Sequence, residues 1–136
     1  MTCGLCPGGD QLAAPPIDRG RWAVGMLTGY EVPGWLALFP RRHLTAADEL
    51  TDTEAGGLGG ELRALTRALR AAVLTERVYT VAFGERLPHW HVLLMAVPAG
   101  VPPDLRGPAL LGGRDGLRDE EAARAVAREV AEALAR

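Results

Sequence analysis

Two histidines, His89 and His91, stand one residue apart at the head of the apolar run "HWHVLLMAV". Side chains along a strand alternate between faces, so this spacing predicts both imidazoles on one face, with Trp90 and Val92 on the other. Burying such a ring without a partner costs a few kcal/mol. The chain must therefore fold so that other polar groups reach this strand, making the two rings either a satisfied structural pair or a site.

The supply of partners is short. The sequence contains no Lys, no Ser and no Asn, and every basic residue is Arg. A Schiff-base lysine, a serine nucleophile and a P-loop lysine are thereby excluded. Cys3, Cys6, His43, His89, His91 and the carboxylates remain as nucleophiles, bases and ligands. With 15 basic and 17 acidic residues and a net charge of -2, the chain does not read as a binder of nucleic acid or of membrane surfaces. The first ten residues, "MTCGLCPGGD", lack the basic start and apolar stretch of a secretory signal, and no apolar run is long enough to span a bilayer. The expectation is a cytoplasmic protein, where paired cysteines are thiols or metal ligands rather than a structural disulfide.

Periodicity supplies the framework. "RWAVGMLTG" and "GWLALFP" read as strands around the turn "YEVPG". The stretch from Thr51 to Glu76 reads as a long helix, because Thr51 and Glu54 have capping-box spacing and Leu58, Leu62, Leu65 and Leu69 recur every three or four residues. Four glycines weaken the first half of that helix. "RVYTVAF" and "HWHVLLMAV" read as an antiparallel pair joined by "GERLP". A Pro- and Gly-rich connection follows from residue 98, as a lid or a connector, and an Ala-rich helix closes the chain with Val126, Val130, Ala133 and Leu134 on one face. The sum is an α+β fold in one domain, 1–136: a mostly antiparallel sheet, one long central helix and a C-terminal helix.

Cys3 and Cys6 form a CxxC that is weak evidence alone. A redox CxxC opens a helix after a strand, and only Met1 and Thr2 stand before this one. His43, beside two arginines in "FPRRHL", is by itself an incidental surface residue. Counting is more informative. Zinc sites built from sulfur and nitrogen take four ligands, commonly two Cys and two His, and this chain offers two Cys and three His. One complete site leaves one imidazole over, a competent nucleophile or base near neutral pH.

"FGERLPHWHVLL" resembles the signature strand of the histidine triad family, His-x-His-x-His followed by apolar residues, with its Gly-containing turn. "VPGWLALFPRRHLTAADELTDTEA" is similar to the family's segment running from a Pro-Gly turn through a strand and a Pro-basic-x-His into the long helix. For the zinc-containing branch the resemblance implies a metal held by Cys3, Cys6, His43 and His89. It makes His91 the nucleophile, attacking the α-phosphorus of a nucleotide derivative, and it implies pairing of two copies through the central helix. Arg86, Arg41 and Arg42 are candidates to stabilise phosphate oxygens, with solvated surface arginines as the alternative.

The chain also departs from the family. Leu93 stands at the third signature histidine and can neither donate nor accept a hydrogen bond at a substrate. Glu85 follows Gly84 where the family has an amide, and Glu31 is the nearest acid to a ribose-binding position that has no clear match. A nucleotidyl hydrolase or transferase is the leading expectation. One rival is a scaffold recruited for non-phosphoryl acid–base chemistry by His91 and Glu85. The other is a zinc-stabilised binding module without catalysis.

Overall fold

The computed structural model describes residues 3–136. Five strands form one antiparallel sheet: β1 (Ile17–Arg19), β2 (Trp22–Gly25), β3 (Trp35–Pro40), β4 (Val78–Val81) and β5 (Val92–Ala96). Their spatial order is β1-β2-β3-β5-β4, so the late strand β5 is inserted between β3 and β4. The register sets Leu38 opposite Val92 and Ala37 opposite Leu93, while Val81 faces Leu93 from the other side. Among the described residues there are also three α-helices, α1 (Asp52–Ala72), the single turn α2 (Ala109–Gly112) and α3 (Glu120–Ala135), besides short 3-10 turns.

Both faces of the sheet are covered, which explains why β2, β3 and β5 are buried at every position. On one face α1 and α3 pack against Val24, Leu38, Val92 and Leu94, with Leu65, Leu69 and Val130 as the deepest helical contributions. The four periodic leucines of α1 all join this cluster, Leu65 and Leu69 fully and Leu58 and Leu62 in part. The opposite face holds Leu27, Trp35, Phe39, Leu93 and Met95, covered by Leu5 and Leu12 from the N-terminal segment and by Leu110 and Leu117 from the late connection. The Pro- and Gly-rich stretch is thus a docked cover for the β4 end of this face, tied by the Gly107 amide donating to the Tyr79 hydroxyl at 2.7 Å.

Local chemistry places the ends. The Thr51 hydroxyl accepts from the Glu54 amide and the Glu54 carboxylate accepts from the Thr51 amide, so the capping box forms as the spacing predicts. Glycine is required at position 34, where φ is +87° and an added Cβ would lie 2.8 Å from that of Ala96. Among the described residues no helix is long and apolar enough to cross a membrane.

Several elements differ from the sequence reading: the long helix expected to reach Glu76 ends at Ala72, and β1 is a strand that reading does not include. β1 is too short and mixed to show a period. The strand expected over residues 21–29 stops at Gly25, although Leu12 bridges Leu27 just beyond it. The strand expected from His89 begins only at Val92. His89 instead sits at a bend, held by its own side chain and by the Trp90 amide donating to the Leu44 carbonyl at 2.7 Å.

Candidate metal centre and the free histidine

The alternation inferred for "HWH" survives the loss of formal strand pairing. Trp90 packs with the helical face beside Trp22, whereas Phe39 on the other face meets the His89 ring edge-on at 5.6 Å. His89 is fully buried. Its Nε2 lies 2.6 Å from the Pro40 carbonyl oxygen, which only accepts, so Nε2 carries the proton and Nδ1 presents a lone pair. Burial disfavours the charged ring and lowers its pKa, the Pro40 hydrogen bond opposes this, and the neighbouring His43 and His91 lower it further.

That lone pair points into a cluster drawn from three distant parts of the chain. Cys3 Sγ lies 3.3 Å and Cys6 Sγ 3.6 Å from His89 Nδ1, and Cys6 Sγ lies 3.5 Å from His43 Nδ1. The four ligand atoms fall within 4.8 Å of one another. Bond lengths typical of zinc imply tetrahedral edges of about 3.6 Å between S and N and about 3.8 Å between S and S. The three S–N contacts match such edges, and the donor set is the common Cys2His2. Without a cation the arrangement is unfavourable for thiolates: burial, then the hydrogen bond and charge of Cys3, push the Cys6 thiol up to about 11. These four residues fit a metal ion, and they are the four that the family resemblance implies.

His91 stays outside the cluster. It is half-buried, and its Nδ1 lies 2.8 Å from the His89 carbonyl oxygen. Since that carbonyl only accepts, Nδ1 holds the proton and Nε2 is left with the lone pair. The bend at His89 therefore does two things: it aims His89 at the cluster and turns its own carbonyl toward His91.

The remaining expected site residues are placed differently. Glu85 and Arg86 are exposed in the β4–β5 turn and, among the described residues, neither has a hydrogen bond or ion pair with His91. The Arg42 guanidinium binds both oxygens of buried Glu54, at 3.1 and 2.8 Å, and the Glu49 carbonyl at 2.7 Å. Arg42 thus fastens the start of α1, and its hydrogen bond is the first cause holding the Glu54 carboxyl down at about 2. Arg41 pairs with Asp18 at 2.8 Å. Glu31 is buried and pairs with Arg118 at 3.1 Å, while its carbonyl accepts from the Asp119 amide and so anchors α3.

Leu93 is a core residue, 6% exposed, between Ala37 and Val81. Restoring a polar ring there is expected to destabilise the fold: Leu93→His should cost about 1–3 kcal/mol for an unsatisfied buried group, with lost packing added. A thermal melt checks this, and an unchanged or raised melting temperature would show that the position has polar partners.

The Pro40 carbonyl and the Phe39 edge contact escaped the sequence reading, because nothing local marks an acceptor 49 residues away from His89. An open cleft of about 680 Å³ runs along β4 and is lined by Tyr79, Val81, Phe83, Met95 and Leu111 among others, without His91 or the cluster.

No family model matches this sequence, and no curated protein matches it by comparison. Solved structures do match. A histidine triad protein from Sinorhizobium meliloti 1021 is similar at 27% identity with a TM-score of 0.70, covering 86% of this chain and 87% of that one. Another from Marinobacter aquaeolei VT8 is 21% identical, with a TM-score of 0.73 and coverage of 94% and 95%. A zinc-bound histidine triad family protein from Mycobacterium smegmatis is 15% identical, with a TM-score of 0.60 and coverage of 88% and 86%.

Proposed function

We propose that this chain, which has the histidine triad fold, is a nucleotidyl hydrolase or transferase in which His91 is the nucleophile and zinc fills the Cys3, Cys6, His43 and His89 cluster. One observation carries the reading: His91 is the imidazole left outside the four-ligand cluster, and its Nδ1–H is committed to the His89 carbonyl, leaving Nε2 unprotonated.

The chemistry follows from that tautomer. Nε2 attacks the α-phosphorus of a nucleotide derivative, and the phosphorus–leaving-group bond breaks in line. The His89 carbonyl favours the positive charge that grows on the ring, as an acceptor fixed before the reaction begins. Water or another acceptor then attacks the nucleotidyl-histidine and regenerates the imidazole. Zinc, closed by four protein ligands, would supply a structural cross-link. It would join the N-terminal segment to the ends of β3 and β5. Incubation with adenosine 5′-phosphoramidate or a dinucleoside polyphosphate tests the reading: nucleotide release with a quench-trapped nucleotidyl group on His91 supports it, and no turnover with no nucleotide binding by calorimetry removes it.

Two copies are proposed to pair along the outer face of α1. Support comes from exposed Gly56, Gly59 and Gly60, which allow close approach, and from Leu74 beyond the end of α1, 85% exposed. A Cβ at Gly60 meets nothing within 4 Å in the single chain, so Gly60→Arg should leave the fold intact and prevent pairing. Light scattering should read a dimer for the native chain and a monomer for the variant; a native monomer ends the proposal.

A further inference from the structure

We propose that Cys3 and Cys6 are an oxidation-responsive pair: a hydroperoxide converts them from metal-binding thiolates into a Cys3–Cys6 disulfide, freeing both the metal and the N-terminal segment. The inference rests on the metal reading above and adds regulation to it.

Access is the first argument. His43 is exposed, both cysteines are only part-buried, and the Cys6–His43 contact is at the surface. A small oxidant therefore reaches the sulfurs without unfolding the chain. Proximity is the second. The two Sγ atoms lie within 4.8 Å of each other, and the chain has no other cysteine, so a disulfide within one chain can join only these two. The backbone around them is a series of turns, with the Gly9 amide donating to the Cys6 carbonyl and Gly8 at a φ of +85°. No helix or strand ladder resists a change in their separation.

The third argument concerns what the pair controls. Leu5 lies between the two cysteines and is 5% exposed, packed into the cluster with Phe39 and Leu93. The rest of the segment is held by the amide hydrogen bonds of Gln11 to Gly4, Ala13 to Met26 and Thr28 to Gln11, and by the Thr28 hydroxyl and Arg124 guanidinium donating to the Asp10 and Ala13 carbonyls. Closing the sulfurs on each other removes two of four metal ligands and shifts the residue that pins the segment down. Metal binding and local folding are linked, so losing the first loosens the second.

The reaction balances with the hydroperoxide as the only oxidant. One thiolate attacks the terminal peroxide oxygen, and the O–O bond breaks. The departing oxygen takes a proton, leaving a sulfenic acid. The second thiolate attacks that sulfur; the S–S bond forms and hydroxide leaves, taking a proton from solvent. The two sulfurs lose two electrons in total, the peroxide gains them, and the zinc ion keeps its charge.

The experiment uses the full chain loaded with zinc and treated with hydrogen peroxide beside a chromogenic zinc chelator. Expected are zinc release in step with thiol loss, one ion for two thiols, an intact mass lower by two hydrogens, and faster amide exchange at Gln11, Ala13 and Thr28. Dithiothreitol with added zinc should reverse all three, and Cys6→Ser should abolish the mass change. Zinc retained while a denatured control is oxidised overturns this inference alone. So does gain of oxygen atoms or a disulfide between chains. A chain that never takes up zinc overturns the metal reading, and this inference with it.

Discussion

His91→Gln is expected to lower nucleotide release by on the order of 10³-fold or more while leaving zinc content and the melting temperature unchanged. Glutamine keeps a polar side chain of similar reach and lacks the lone pair that the proposed attack on phosphorus requires. The separation of effects is possible because His91 is not one of the four clustered ligands, and its one hydrogen bond is to a backbone carbonyl of its own segment. Turnover should fall through kcat, since the lost interaction forms only as the bond to phosphorus forms. A variant retaining activity within tenfold of the native chain would remove His91 from the nucleophile's role. A variant that loses activity together with its zinc would assign His91 to the metal instead.

Removing the metal is expected to have the largest effect on stability. Cys3→Ser, or a strong chelator, should strip stoichiometric zinc and lower the melting temperature by on the order of 10 °C, which corresponds to a few kcal/mol for a domain of this size. The loss should be uneven. Cys3, Cys6, His43 and His89 tie the N-terminal segment, the exit of β3 and the entry to β5 at one point. Amide exchange should therefore quicken first at residues 3–13 and around His43. The core beneath α1, where Leu65 and Leu69 are fully buried without any ligand residue, should keep its protection. Native zinc content in Cys3→Ser would exclude this ligand set. A uniform loss of protection would mean that the metal supports the whole domain rather than its N-terminal corner.

Legibility of the sequence varied with the range of the interaction. The capping box at Thr51, the leucine period of α1 and the apolar face of α3 are local patterns, and each reads through because a helix is specified by neighbours three and four residues apart. β5 was legible as an apolar run, yet its start was displaced to Val92. The cause is a long-range bond from the His89 side chain to the Pro40 carbonyl that bends the backbone before the ladder begins. Arg42 was open to either a phosphate or a solvated role; it lies exposed at the surface, with its guanidinium paired to a carboxylate. Buried Glu54, required by the capping box, needed a cation, and Arg42 was within reach.

Composition and spacing by themselves determined the inventory: two thiols and three imidazoles, no lysine or serine, and His89 and His91 one residue apart at the head of an apolar run. They also determined the antiparallel α+β frame, because periodicity and turn residues act over short range. Only the tertiary structure decided which nitrogen His89 and His91 each present. A ring has two nitrogens, and which one carries the proton depends on the acceptor that meets it. The Pro40 carbonyl fixes His89 with Nδ1 toward the cysteines, and the His89 carbonyl fixes His91 with Nε2 free. The Pro40 acceptor is placed by packing β5 beside β3, a long-range arrangement that no local pattern encodes; the His89 acceptor stands only two residues from His91, at the bend where His89 turns toward Pro40.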